Sequence, residues 1–327
     1  MQINPLHRTD NVPTAPGSPR WVEEAGMAAE AHLAGSPAME PAGPLVAGRY
    51  RLGSLLGRGG MGSVWLAEDE LLHRPVALKQ VILSGEGSEK SRAARVRALG
   101  EARAAARVDH DGAVRIHDVV KEDGRPWIVM EPLSGRTLAE TLHAEGPLPI
   151  DRVTSIGLCL LDVLQATHRA GVVHRDVKPG NVHLCDDGRV VLADFGIACM
   201  AGDDSGSSPG AFTGSPAYTA PELVVGGGPP GPASDLFSLG ATLFAAVEGA
   251  PPFAKGDLFA TLAAVVEDAP GPFLRAGGLR PVLEGLLTKE PGRRLSVEAA
   301  GAALRAVQRP GPTPATDQRV YAKLGST

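Results

Sequence analysis

One stretch, VVHRDVKPGNVHLCDDGRVVLADFG (Val172 to Gly196), constrains the fold more than any other. Asp187-Gly188 lies between two apolar runs and is a strong signal for a two-residue hairpin turn, because these residues tolerate positive φ. Pairing outward from that turn sets Asp186 against Arg189, Cys185 against Val190, Leu184 against Val191, His183 against Leu192 and Val182 against Ala193. Asn181 then faces Asp194. Directly opposed residues have Cβ atoms ~4.5–5.5 Å apart, so this register delivers an amide oxygen and a carboxylate to one place. Hard oxygen donors converging in this way suit Mg²⁺, which takes one or two carboxylates together with phosphate oxygens and water. Asp176 lies five residues before Asn181 and approaches the same place from the loop side. Either Asn181 or Asp194 alone reads as a polar strand end facing water; together with Asp176 they point to a metal–phosphate site.

Such a site needs a phosphate cradle. LGRGGMGSVWLAED contains Gly57-x-Gly59-x-x-Gly62-x-Val64 between two strand-like runs. Glycines there let backbone N–H groups approach phosphate without a side-chain clash. A strand rather than a helix follows, which argues against a dinucleotide-binding unit. No Gly-Lys-Ser/Thr closes the loop, so it is not a Walker A sequence. RPVALKQVIL places Lys79 in an apolar strand. It is either on the solvent face or paired; if it points inward, it needs a carboxylate partner. Glu101 is the leading candidate: between Lys90 and His110, in a helix-favouring segment with five arginines, it is the one acid before Asp109.

The coarse organisation is a β-rich part followed by a helical one. YRLGSLLG, GSVWLAED, PVALKQVIL and RPWIVMEP read as strands, and KSRAARVRALGEARAAARVDH as a helix. PIDRVTSIGLCLLDVLQATHRAG carries Val153, Ile156, Leu160, Val163, Leu164 and Thr167 at helical spacing before a Gly stop. SDLFSLGATLFAAVEG is apolar nearly all round and predicts a buried central helix, capped by Ser234 or Asp235. The first 44 or so residues and the last 19 are rich in Pro, Ala, Gly and Ser and read as tails that bury too little to order. A hydrophobic share of 43% in 327 residues permits a full core, and a net charge of −5 gives no sign of nucleic-acid binding. Three cysteines with no C-x-x-C pair fit a reducing compartment. Neither a secretory signal nor an apolar run of membrane-spanning length is found, so a cytoplasmic protein without a direct membrane span is expected.

With these motifs in one order, from about Arg49 to Leu304, the sequence resembles a bacterial eukaryotic-like (Hanks-type) serine/threonine protein kinase. The resemblance implies an α+β, bilobal protein kinase fold, with a β-rich N-lobe carrying one key helix and a mainly helical C-lobe. The implied boundaries are a tail at 1–47, a kinase domain at 48–305 (N-lobe 48–130, hinge 131–135, C-lobe 136–305) and a tail at 306–327. By the same resemblance Asp176 is the catalytic base, Lys178 lies near the transferring phosphoryl group, and Lys79 contacts the ATP phosphates while pairing with Glu101. Asn181 and Asp194 become the metal ligands. Nucleotide contacts fall on Leu56, Gly57, Arg58, Gly59, Gly60, Gly62, Val64, Ala77, Lys79, Met130 as gatekeeper, Glu131 and Leu133 in the hinge, and Leu184. Ala220-Pro221-Glu222 matches the APE motif, Arg294 its ion-pair partner, and Asp235 the buried aspartate that braces the loop bearing Asp176.

The implied activity is transfer of the ATP γ-phosphoryl group to Ser or Thr hydroxyls of proteins, with Mg²⁺, or Mn²⁺ in its stead. Lys178, two residues after the base, matches the serine/threonine rather than the tyrosine pattern. Ser215 stands where most members carry Thr and keeps a hydroxyl for Asp176 and Lys178. The segment between Asp194 and Ala220 offers hydroxyls at Ser205, Ser207, Ser208 and Thr213. Arg175 would pair with a phosphate there, and Thr213 is the favoured autophosphorylation site. The alternatives are an ATP-binding pseudokinase scaffold, against which all the usual catalytic positions are filled, and a small-molecule phosphotransferase, disfavoured by the APE segment. Protein substrates, no nucleic acid and an open question of a homodimer complete the expected partners.

Overall fold

The computed structural model describes residues 43–59, 62–81, 89–195 and 215–308. Its first part is a six-stranded antiparallel sheet: β1 (Leu45–Val46), β2 (Tyr50–Gly59), β3 (Gly62–Asp69), β4 (Arg74–Val81), β5 (Ile116–Glu122) and β6 (Arg125–Met130), in the order β1-β2-β3-β4-β6-β5. Alternation along β4 sorts its side chains. Val76 and Leu78 join Tyr50, Leu52, Trp127 and Val129 in a small core on one face. Ala77 and Val81 face the other way, into the main core. Lys79 has the same parity, so the strand period carries it to the inner face, where it is buried. Helix α1 (Glu89–Ala105) covers that face with Ala98, Ala102 and Ala105, whose small side chains let the helix lie close to the sheet. The four expected strands form, together with β5, whose sequence IHDVVKE carries charge at Asp118, Lys121 and Glu122 and shows no clean alternation.

Met130 ends β6, and the chain then crosses to β7 (Arg136–Thr137), α2 (Leu138–Glu145) and α3 (Ile150–Arg169). Thr137 caps α2 in a reciprocal capping box with Glu140. α3 buries Val153, Ile156, Leu160, Val163, Leu164 and Thr167, the stripe its periodicity predicts. β8 (Val182–Leu184) and β9 (Val190–Leu192) complete a three-stranded sheet with β7. α4 (Pro221–Val224), α5 (Pro232–Glu248), α6 (Leu258–Glu267), α7 (Arg280–Leu286) and α8 (Val297–Gln308) follow. α5 is buried from Ser234 to Val247 and is the central helix of this part. Its cap differs from the expectation. Gly231 precedes the first turn, Pro232 opens it, and Ser234 Oγ, three residues in, accepts the Gly231 N–H at 3.1 Å. Asp235 is thereby released from capping and turned to another use. Among the described residues no helix is long and apolar enough to cross a membrane.

The hairpin register is a second correction. β8 and β9 pair as Val182↔Leu192, His183↔Val191 and Leu184↔Val190, one residue away from the expected register. The turn holds three residues, not two: Cys185 N donates to Arg189 O at 2.9 Å and Gly188 N to Cys185 O at 3.0 Å. Gly188 takes φ +87°, and Asp187 Oδ1 accepts the Arg189 N–H at 3.0 Å. An Asx turn with a left-handed glycine stabilises the longer loop, which Asp-Asp-Gly serves as well as Asp-Gly serves the shorter one.

Candidate active site

With the register slipped, Asn181 no longer faces Asp194: the Ala193 N–H donates to Asn181 O at 2.8 Å. Asn181 closes a short 3₁₀ turn (Pro179–Asn181) ahead of β8. Asp194 lies two residues past β9 with φ +60°. Irregular backbone at both strand ends, rather than cross-strand pairing, brings the two residues to one cleft of ≈ 550 Å³. Leu56, Gly57, Arg58, Gly62, Val64, Ala77, Lys79, Met130, Glu131 and Leu133, the nucleotide contacts that the resemblance implies, line it with Asp176, Lys178 and Ser215. Gly59 ends β2 opposite Gly62. Gly60 and Thr213, with Ser205, Ser207 and Ser208, lie outside the described residues.

Leu184 is not on the cleft wall. His183 is, while Leu184 packs against the main core. Neighbouring strand residues point to opposite faces, so Leu184, which the resemblance alone implies, faces away from the side that Asn181 and His183 share. Strand parity with Asn181 selects His183 whatever the length of the turn. Gly135 and Thr137 also line the cleft, which continues past α2 to His143, Tyr218, Gly249 and Pro251.

The loop from His174 to Asn181 is braced at several points. The buried Asp235 carboxylate accepts the N–H groups of His174 (2.9 Å) and Arg175 (2.8 Å), and His168 Nε2 lies 2.8 Å from it. Arg175 takes φ +69°, a conformation that costs a non-glycine residue about 1–3 kcal/mol and persists because these bonds hold it. His174 Nε2 reaches Ala193 O at 3.0 Å, and its ring lies 4.8 Å from that of Phe195. Asp176 Oδ2 receives Asn181 Nδ2 at 2.8 Å and Lys178 Nζ at 2.9 Å. Asn181 Nδ2 also donates to Asp176 O at 2.7 Å. With both amide hydrogens occupied, the Asn181 oxygen is the end left to meet a cation. Farther off, Arg294 and Glu222 form the expected bidentate pair at 2.8 and 3.0 Å.

The upper wall departs from expectation. Lys79 Nζ lies 2.8 Å from Asp194 Oδ1, while Glu101 Oε1 pairs with Arg175 Nη1 at 2.5 Å. No Lys79–Glu101 ion pair is present among the described residues. Each expected partner is satisfied elsewhere: Asp194 is the carboxylate the buried lysine meets, and the strained Arg175 guanidinium reaches α1. Burial pushes the Asp194 carboxyl up, but the charge and hydrogen bond of Lys79, with the charge of Lys178 and of His183 behind them, outweigh it and hold the group below the usual carboxylate range. The cleft therefore presents an ionised carboxylate, an oriented amide oxygen and two ammonium groups. This donor set fits a divalent cation bound with a polyphosphate.

A family model described as a protein kinase domain matches residues 50–303. Among curated relatives, serine/threonine-protein kinase PknK of Mycobacterium tuberculosis is 39% identical over 263 residues, which is 78% of this chain and 23% of PknK. Serine/threonine-protein kinase PknL of Mycobacterium bovis is 37% identical over 270 residues, covering 80% of this chain and 66% of PknL. Serine/threonine-protein kinase PknA of Mycobacterium tuberculosis is 38% identical over 280 residues, covering 82% and 64%. The chain thus spans under a quarter of PknK and just under two thirds of the other two.

Proposed function

The chain belongs to the protein kinase family, and on that premise we propose that it transfers the γ-phosphoryl group of ATP to serine and threonine hydroxyls of proteins. One observation carries this reading: the Asp176 carboxylate is held between Lys178 Nζ and Asn181 Nδ2 in the cleft that also holds Asp194 and the glycine-rich hairpin. A carboxylate so fixed orients an acceptor hydroxyl and takes its proton. Lys178, 2.9 Å away, offsets the charge that moves toward the acceptor. Asn181 and Asp194 would hold Mg²⁺, which when bound neutralises charge on the phosphate oxygens. Lys79 would reach the phosphates from the sheet side, and the backbone of Glu131 to Leu133 would meet the purine. Ser215, at the cleft's edge, would steady Asp176 and Lys178 from the acceptor side.

The ion pairs of the upper wall belong to a resting arrangement. Phosphoryl transfer in this family needs a Lys–Glu pair and a carboxylate on the metal. Lys79 must therefore exchange Asp194 for Glu101, and Glu101 must leave Arg175. A phosphate added at Thr213 would favour the exchange by offering Arg175 another anion. The Arg175 Nε is buried without a hydrogen-bond partner among the described residues, so its guanidinium has capacity for one.

The test is transfer of radiolabelled phosphate to a generic acceptor protein. The wild-type chain is expected to label serine and threonine, and Asp176→Asn to lower kcat by roughly 10²–10⁴-fold. A chain that binds ATP yet transfers nothing would return the reading to a pseudokinase scaffold.

A further inference from the structure

The hinge is fixed to the β8–β9 hairpin at three points. β7, which leaves the hinge, pairs with β8 through Arg136↔Leu184 and Thr137↔His183. Gly135 has φ +83°, and a Cβ there would lie 2.2 Å from Leu184 O, so the two backbones meet directly. The third point is a side chain. Arg189, at the foot of β9, places Nη1 and Nη2 at 3.2 and 3.3 Å from Glu131 Oε2. Its Nε donates to Asp187 Oδ2 at 2.8 Å, which holds the guanidinium in line. Arg115 N donates to the other oxygen, Glu131 Oε1, at 2.9 Å, and the Glu131 N–H donates to Arg115 O at 2.9 Å. The first residue of the hinge is thus held on both carboxylate oxygens and on its amide. The three-residue turn is what sets this up, because the Asx turn at Asp187 and the grip on Arg189 use the same carboxylate.

We infer that Arg189 is a positioning residue for the nucleotide. By clamping Glu131 it fixes the hinge backbone that continues to Leu133, and Glu131 and Leu133 both line the cleft. Arg189 itself does not line the cleft, so its effect passes through Glu131. The two side chains are 35% and 16% exposed, so solvent screens the pair and its influence is moderate. This inference rests on the kinase reading.

The experiment is an ATP titration of the full chain at fixed acceptor, paired with direct binding of a nonhydrolysable ATP analogue. Arg189→Gln is expected to raise the KM for ATP and the Kd of the analogue together, by about threefold to fivefold. kcat should stay within about twofold and the KM for acceptor should not move. Arg189→Lys should recover most of the loss. Glu131→Gln should reproduce the shift, and the double variant should add nothing to it. A merely structural role would lower the melting temperature without this split between KM and kcat. An unchanged KM for ATP in Arg189→Gln overturns the inference, as does a fall in kcat alone. Should Arg189→Gln fail to fold, an unchanged KM in Glu131→Gln overturns it equally. A wild-type chain that binds no nucleotide would instead overturn the kinase reading, an outcome distinct from each of these.

Discussion

The lower and upper walls of the cleft are built on opposite plans. Below, the backbone N–H groups of His174 and Arg175 and the side chains of Asp176, Lys178 and Asn181 find partners inside the same lobe, while the Arg175 guanidinium reaches across to Glu101. Asp235 holds two backbone N–H groups, and Asn181 and Lys178 hold Asp176. Above, Lys79 on β4 and Glu101 on α1 are each tied across the cleft, to Asp194 and Arg175 respectively. A group satisfied within its own lobe keeps its place when the lobes move. A group satisfied across the cleft is displaced by any ligand that offers a better partner. On the proposed function the lower wall is a fixed platform for proton transfer, and the upper wall is a gate whose ion pairs are expected to exchange on ligation.

Substitutions on the two walls should separate these plans. The largest effect is expected for Asp194→Ala, which removes the only anionic member of the proposed metal-binding pair: kcat should fall at least as far as in Asp176→Asn, roughly 10²–10⁴-fold. Without ligand the same change frees Lys79, so hydrogen exchange along α1 should change in Asp194→Ala and stay constant in Asp176→Asn. Equal exchange in both would erase the distinction between the walls. Next comes Asp235→Ala. It leaves the His174 and Arg175 N–H groups buried without an acceptor, at about 1–3 kcal/mol for each. Chemical denaturation should register a loss of that order, together with low activity, because Arg175 then has nothing to hold its positive φ.

A smaller effect is expected at Glu101. Glu101→Gln abolishes the Arg175 pair of the resting state and weakens the Lys79 pair of the proposed active state. The second loss governs turnover, at about 1.5–3 kcal/mol for a charge-assisted bond, or roughly 10- to 100-fold in kcat. Measured with and without prior incubation in ATP, the variant should lose the difference between the two conditions that the wild type shows. A wild-type-like ratio would mean that the Arg175–Glu101 contact does not restrain activity.

The platform was far more legible in the sequence than the gate. Asp176 and Asn181 depend on local spacing, which survives in the linear text, whereas Lys178, Asp235, Glu222 and Arg294 rest on the family resemblance, the last two lying 72 residues apart. For Lys79 the sequence leaves the solvent face and an inward pair both open, and which carboxylate it meets depends on where α1 sits, a question of tertiary packing that no window of sequence contains. The hairpin failed more instructively: one residue of turn length shifted the register, so that Asn181 faces Ala193 rather than Asp194. Turn length is set by the Asx bond of Asp187 and the left-handed Gly188, which two- and three-residue loops share as sequence signals.

The mildest test of the fixed wall is pH. His174 is wholly buried, and burial pushes its pKa below the ordinary histidine value of 6.5 although Asp235, Asp176 and Asp194 all pull it up. The neutral ring can donate from Nε2 to Ala193 O and accept the Asp176 N–H at Nδ1, 3.3 Å away, which is the tautomer the wall requires. In the unfolded chain this histidine takes up a proton near pH 6.5; in the folded chain it does so only at lower pH. Unfolding is therefore accompanied by proton uptake below about pH 6.5. The stability this group contributes is complete above that pH and is lost as the pH falls through its folded value. Thermal melts between pH 7.5 and 5.5 should show a falling midpoint. The slope should flatten in His174→Gln, whose amide keeps a donor for Ala193 O and has no titration. A slope that persists undiminished in His174→Gln would place the acid sensitivity elsewhere in the molecule and remove the neutral ring from the list of what holds the platform still.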